Sequence, residues 1–155
     1  MRSDYGDRMA ESNTPTEAAN IELVRGFWEA LKVRDFDAVG SHMSEKGHYV
    51  DVPVHDSEAG AIGPAETAAR LRLGLEPLED YVLHDGTIIA SGSTVITEHR
   101  EEWFWKTGEY SNVRFCSVME VNDGKVDRWW DYVDLGQLMG NAPEWWIEHV
   151  MQGYK

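Results

Sequence analysis

The sequence predicts an α+β domain in which a long, strongly curved, antiparallel or mixed sheet wraps around N-terminal helices and leaves a pocket between them. Three observations carry that expectation. Apolar residues recur at helical spacing early in the chain, with Ile21, Val24, Phe27, Trp28 and Leu31 as the clearest run. Extended segments then follow one another, separated by turns that carry Gly92, Gly108 and Asn122-Asp123-Gly124. One of them, residues 95–106, alternates with a period of two. It sets Val95, Thr97, His99, Glu101, Trp103 and Trp105 on one face and Ile96, Glu98, Arg100, Glu102, Phe104 and Lys106 on the other.

Residues 1–13 are polar and read as a flexible tail, leaving residues 14–155 as a single domain. Thr14-Pro15-Thr16-Glu17 opens the first helix: Thr14 caps, Pro15 suits the first turn and Glu17 completes a capping box. Val33-Arg34-Asp35 closes it, and a short second helix covers residues 36–43. A strand over residues 48–54 is ended by Pro53 and followed by a loop over residues 55–63. Pro64 opens a third helix reaching about residue 73, with Ala68, Leu71 and Leu75 inward. Four longer strands follow, over residues 81–90, 94–106, 110–121 and 125–135. A last helical segment holds Pro143, Trp145, Trp146, Ile147 and Val150.

At 155 residues the chain is long enough to bury a sizeable core. Its formal charge of −14 opposes binding to nucleic acid or to an anionic membrane surface. No apolar run approaches the length of a membrane span, and the polar N-terminus is unlike a signal peptide. The lone Cys116 excludes an internal disulfide and any multi-cysteine metal site, so a reducing, cytoplasmic location is expected. Seven tryptophans supply large apolar area for a lined cavity, an interface or both. The expected partner is a small hydrophobic or aromatic molecule.

Parity also sorts the remaining strands. Trp129, Asp131, Val133 and Leu135 share one face, opposite Arg128, Trp130, Tyr132 and Asp134. Val113, Phe115, Ser117, Met119 and Val121 make a nearly pure apolar row, with Cys116 on the other side. Tyr49 and Asp51 share a face with Pro53. Three strands thus bring polar groups (His99 with Glu101, Asp131, and Tyr49 with Asp51) to one apolar wall, as a small-molecule site does. Two carboxylates in such a hollow cannot both ionise cheaply. One pKa rises, often by ~2–5 units, and the pair can then serve as acid and base. His99 between them can bridge both and relay charge.

Three segments, Tyr49-Val50-Asp51-Val52-Pro53, Thr97-Glu98-His99-Arg100-Glu101 and Trp129-Trp130-Asp131-Tyr132-Val133-Asp134-Leu135, carry a resemblance over about residues 18–140. The chain resembles the limonene-1,2-epoxide hydrolase group of the SnoaL-like, nuclear-transport-factor-2-like superfamily. That resemblance implies a cone-shaped barrel and a reaction with no metal, organic cofactor or covalent intermediate. In the family a Tyr, and an Asn two residues later, hold a water whose proton passes to an Asp on the last strand. An Arg-x-Asp pair on the middle strand bridges to that base and protonates the epoxide oxygen. Carried over, Tyr49 matches the Tyr, Asp51 the Asn, Asp131 the base, Glu101 the acid, His99 the bridging Arg and Trp129 the Trp before the base. Tyr49, Asp131 and Trp129 match in type. Arg to His gives up a permanent charge and a two-pronged donor, and Asn to Asp gives up a donor.

The expected activity is hydrolysis of a small apolar epoxide, with Trp129, Trp103, Phe115, Met119 and Phe27 as substrate contacts. The alternatives are an isomerase, dehydratase or carbon–carbon lyase with His99 as base, and a module that binds a small apolar ligand without turnover. His48, His55 and His84 read as surface or loop residues and His42 as core or surface, and no His-x-x-x-His pair is present. Trp145 and Trp146 cover the pocket mouth or pack on a partner. Glu98, Arg100 and Glu102 form a solvated strand face or one side of a homodimer joined through the outer sheet.

Overall fold

The computed structural model describes residues 13–54 and 60–155, so most of the expected tail, and the loop segment 55–59 with His55, lie outside the described residues. Among the described residues five helices and seven strands follow one another as α1 (Pro15–Lys32), α2 (Phe36–His42), β1 (Met43–Asp51), β2 (Ala61–Ile62), α3 (Gly63–Leu75), β3 (Leu78–His84), β4 (Ile88–Ser91), β5 (Thr94–Trp105), β6 (Tyr110–Asn122), β7 (Lys125–Val133), α4 (Leu135–Asn141) and α5 (Glu144–Val150). The strands make one sheet in the order β2-β1-β7-β6-β5-β3, with β4 beside β5. Its edge strands β2 and β3 do not pair with each other, so the curved sheet stays open. Pairing is antiparallel throughout except between β1 and β7, which run parallel.

The helix start reads as expected. Thr14 N donates to Glu17 Oε2 at 2.8 Å and Glu17 N to Thr14 Oγ1 at 3.2 Å. The free oxygen of Glu17 also accepts from Gly92 N at 2.9 Å, which ties α1 to the β4–β5 turn. Ile21, Val24, Phe27, Trp28 and Leu31 are all buried, so α1 lays its apolar stripe on the sheet. The β6–β7 turn has positive φ at Asp123 (50°) and Gly124 (70°), the backbone of a tight hairpin that Asp-Gly permits. One apolar core draws on residues from α1 through to Trp146 of α5. Among the described residues no helix is long and apolar enough to cross a membrane.

Several boundaries differ from the sequence expectation. β1 begins at Met43 and ends at Asp51, so Pro53 lies in an exposed turn, which suits a residue with no ladder donor. Val52 N donates to Asp131 O and Val54 N to Asp51 O to hold that turn. Leu135 opens α4 instead of extending β7. Asp134 caps α4 by accepting from Gln137 N at 3.1 Å, and Asp-x-x-Gln is the local sequence signal of that start. The strand expected over residues 81–90 is two strands, both paired with β5. His84 pairs with Arg100 and Ile88 with Thr97, so Asp85, Gly86 and Thr87 stand opposite only Glu98 and His99. This is a bulge, fixed by Glu98 N donating to Thr87 O at 2.8 Å.

The bulge needs a glycine at its centre, because a Cβ on Gly86 would overlap the Glu98 carbonyl oxygen. Gly86→Ala is expected to lower stability by ~1–3 kcal/mol, the usual cost of forcing atoms into a filled site. Urea denaturation measures it, and an unchanged midpoint would show that the backbone relaxes freely there.

Candidate functional site

The parity of β5 holds along its whole length: Val95, Thr97, His99, Glu101, Trp103 and Trp105 are all buried. The same is true of Val113, Phe115, Ser117, Met119 and Val121 on β6, and of Trp129, Asp131 and Val133 on β7. His99 (5 % exposed), Glu101 (4 %) and Asp131 (3 %) therefore lie inside, on the helix-covered face of the sheet. Register gathers them. Thr97 pairs with Ser117, Ser117 with Asp131, and Asp131 with Asp51, giving one row across β5, β6, β7 and β1. The row before it runs Val95, Met119, Trp129, Tyr49, and the row after it begins His99, Phe115, Val133.

Each ionisable group has partners. Asp131 Oδ1 accepts from Trp129 Nε1 at 2.6 Å and from the Ser117 hydroxyl. Glu101 Oε2 accepts from Trp103 Nε1 at 2.8 Å, and its Oε1 lies 3.2 Å from His99 Nε2. Tyr49 donates its hydroxyl to Asp51 Oδ1 at 3.0 Å and stacks on Trp129 with ring centroids 3.8 Å apart. The His99 ring lies parallel to Phe115 at 5.1 Å and tilted on Trp28 at 4.5 Å.

Burial dominates the electrostatics. It pushes the Asp131 carboxyl up to about 7, with the Asp51 charge adding and His99, Ser117 and Trp129 opposing. Burial also works against the His99 imidazolium. The hydrogen bond and charge of Glu101, reinforced by Asp131 and Asp85, outweigh it and raise the His99 pKa. Burial drives the Tyr49 hydroxyl well above its ordinary value, Asp51 adding and Arg70 opposing, so Tyr49 is a neutral donor.

Three residues of this cluster had no role in the sequence reading. Arg70 of α3 donates to Asp51 Oδ2 at 2.7 Å and lies over the Tyr49 ring, 5.0 Å from its centroid. It is nearly buried, and the charge and hydrogen bond of Asp51 offset the cost of desolvation. Ser117 stood in the apolar row without an assignment. Tyr81 of β3 pairs with Trp103, which makes it inward by the same parity rule. Its buried hydroxyl lies beside Glu101, and burial followed by the Glu101 charge keeps it protonated.

The proposed substrate contacts divide. Phe27, Met119 and Trp129 are buried in the core, where Phe27 meets Trp129 edge-on at 4.7 Å. Trp103 meets Trp105 and Trp146. Phe115 reaches a groove of about 600 Å³ on the outer sheet face, beside Ile96, Arg114, Cys116, Tyr132 and Val133. A second cavity of about 250 Å³ touches His99 and Thr97. Neither is lined by Asp131 or Glu101.

The remaining candidates take structural positions. Trp146 is buried and donates to Gly74 O at 2.9 Å, whereas half-buried Trp145 donates to Thr107 Oγ1. His84 Nε2 lies 2.6 Å from Glu102 Oε2 on the outer face. His48 and His42 are half-buried, the latter with Nδ1 2.8 Å from Ala38 O. No group of three or more His, Cys, Asp or Glu side chains is arranged to hold a metal among the described residues.

A family model described as a SnoaL-like domain matches residues 24–129. Solved structures are similar across most of the chain. An LEH-like epoxide hydrolase of M. tuberculosis is 24 % identical with a TM-score of 0.67, covering 90 % of this chain and 94 % of its own. A protein described as a SnoaL-like polyketide cyclase from Jannaschia sp. CCS1 is 17 % identical with a TM-score of 0.74, covering 86 % and 99 %. A protein with a ketosteroid isomerase-like fold from Catenulispora acidiphila DSM 44928, in complex with trimethylamine, is 18 % identical with a TM-score of 0.69, covering 83 % and 93 %. No curated protein matches the chain significantly in sequence.

The raised Asp131 carboxyl carries a stability consequence. Its folded value lies above its unfolded one, so its contribution is complete below about pH 4 and is lost as pH rises through about 7. Asp131→Asn keeps the shape without the charge. At pH 8 it is expected to be more stable than the native chain by on the order of 2–4 kcal/mol, an advantage that vanishes by pH 4. Urea titrations at the two pH values test this, and an equal difference at both would remove the buried charge as its cause.

Proposed function

The chain belongs to the SnoaL-like domain family, and within it we propose that it hydrolyses a small hydrophobic or aromatic epoxide to a diol, without metal or organic cofactor, by acid–base activation of water. One observation carries this reading. Two proton-holding centres, Asp131 on β7 and the His99–Glu101 couple on β5, face one interior from either side of β6. Water held by Tyr49 and Asp51 loses a proton to Asp131 and attacks an epoxide carbon. Glu101, coupled to His99, protonates the departing oxygen. One proton is taken and one is given, so the diol leaves neutral.

The surrounding residues suit these roles. Ser117 and Trp129 fix the base by donating to a single oxygen, which leaves the other for water. Arg70 neutralises Asp51 and orients it toward Tyr49, a cation supplied from α3 where the epoxide hydrolase group has Arg on the middle strand. The protonated Tyr81 hydroxyl beside Glu101 is a second donor for the opening oxygen. Trp129, Trp103, Phe115, Met119 and Phe27 form the apolar wall of the substrate site. The fold shared with the M. tuberculosis epoxide hydrolase supports the reading at the level of architecture.

A second reading, proton abstraction by His99 in an isomerase, dehydratase or lyase, draws support from the aromatic stacking of His99 between Phe115 and Trp28. We place the protein in the cytoplasm as a homodimer joined through the outer face of β5, β6 and β7, where Tyr132 is exposed and the larger groove lies.

Asp131→Asn and Glu101→Gln are each expected to cut kcat by ~10²–10⁴ while the far-ultraviolet spectrum stays native. In a mass-spectrometric screen against mixed epoxides, full activity in either variant removes that residue's role. Single turnover in ¹⁸O-water should label the diol and leave the protein unlabelled, since label on a carboxylate means a covalent path. kcat/KM should climb through about pH 7 as Asp131 loses its proton. Deuterium appearing at a substrate carbon in heavy water supports the second reading instead. Sedimentation at micromolar concentration should give a dimer, and Tyr132→Asp should give monomer.

A further inference from the structure

The cavity of about 250 Å³ runs from the surface to His99, between α1 and the β3–β4 bulge. It is lined by Trp28 and Glu29 of α1, Asp85 and Gly86 of the bulge, and Thr97 and His99 of β5. Glu29, Asp85 and Gly86 are exposed, whereas Trp28, Thr97 and His99 are buried, so the two ends of the cavity differ in their access to water.

Three buried polar atoms are carried by residues that line it. His99 Nδ1, Thr97 Oγ1 and Trp28 Nε1 have no hydrogen-bond partner among the described residues. Buried polar groups seldom go unpaired, and an unpaired cluster at a polar, roomy cavity is where ordered water is found. The volume admits several waters and is small for a drug-sized ligand. The set also has the right mixture for a water chain: the indole only donates, the hydroxyl does both, and a neutral imidazole nitrogen accepts.

His99 gives that chain a task. Its Nε2 is committed to Glu101, so Nδ1 is the nitrogen at which the ring gains or loses its second proton. We infer that this cavity is a hydrated port through which His99 exchanges protons with solvent, on the side of the ring away from the reacting centre. The inference rests on the proposed role of the His99–Glu101 couple as the acid of the reaction. The step is one proton transfer: a hydronium in the port becomes water, and the imidazole becomes an imidazolium paired with Glu101.

The charges around the ring favour this. On β5 they are Glu101 and Glu98, on the bulge Asp85, on α1 Glu29 and Arg25, and on β7 Asp131, with Phe115 of β6 uncharged. Carboxylates outnumber cations there. Lys32 Nζ bridges Glu29 and Asp85 at 2.6 Å to each and pins the outer end. An acidic rim raises the local concentration of protons at the mouth.

Thr97→Val tests the port, because it keeps the shape and deletes one hydroxyl. In ¹⁵N-labelled protein the His99 ring should show magnetisation transfer from water. Thr97→Val should slow proton exchange at Nδ1 by about tenfold, the scale of one hydrogen bond, and lower the melting temperature. Thr97→Ser keeps the hydroxyl and should exchange like the native chain. A dry cavity gives the opposite result: no transfer from water, equal exchange in both variants, and Thr97→Val as stable as the native protein or more so, since an unpaired hydroxyl has been removed. None of these readouts needs a substrate. Failure to hydrolyse any epoxide would therefore overturn the reaction and leave the port standing, while a dry cavity in an active hydrolase would do the reverse.

Discussion

The interior chemistry depends on the two-residue alternation of β5, β6 and β7 staying in phase where the three strands meet. A slip of one residue would send His99, Glu101, Ser117 and Asp131 into solvent and bring Glu98, Arg100, Cys116 and Tyr132 inside. The two irregularities nearest this row leave it intact. The bulge falls in the neighbouring β3–β4 segment, and the shift between β6 and β7 falls at Glu120 and Val121, near their turn. Bulky inward neighbours fix the phase. Trp103, Trp105, Met119 and Trp129 fit only on the buried side, and their burial holds carboxylates where water would otherwise claim them.

Within that frame the protein balances charge unevenly. Asp51 is paired with a guanidinium from a helix, Glu101 with an imidazole on its own strand, and Asp131 receives only neutral donors. Burial and the Asp51 charge raise the Asp131 carboxyl to about 7, and its neutral donors recover less of the lost hydration than a full positive charge would. The arrangement separates one proton acceptor from an already compensated pair, which is the asymmetry acid–base chemistry requires.

Much of this was legible in the sequence because a strand's parity needs no knowledge of the rest of the fold. It sorted every residue of β5 correctly and set Asp131 inward on β7. What escaped it came from outside the strands. Arg70 lies on a helix with a weak apolar stripe, and a long polar side chain there reads as solvated until α3 is seen packed against β1. Ser117 among Phe115, Met119 and Val121 looks like a tolerated small residue until register sets it beside Asp131. The cavity by His99 is lined by Gly86 of the bulge, and a lone glycine in a strand does not say which neighbour it approaches.

The parallel seam between β1 and β7 joins segments far apart in the chain, while β5, β6 and β7 close on one another through short turns. Tyr49 and Asp51 therefore meet Trp129 and Asp131 only by closing a large loop, at an entropic cost that a hairpin turn does not carry. The same pairing sets Asp51 beside Asp131, whose carboxyl its charge helps to raise. The conformational and the electrostatic cost of the reaction centre thus fall on one seam.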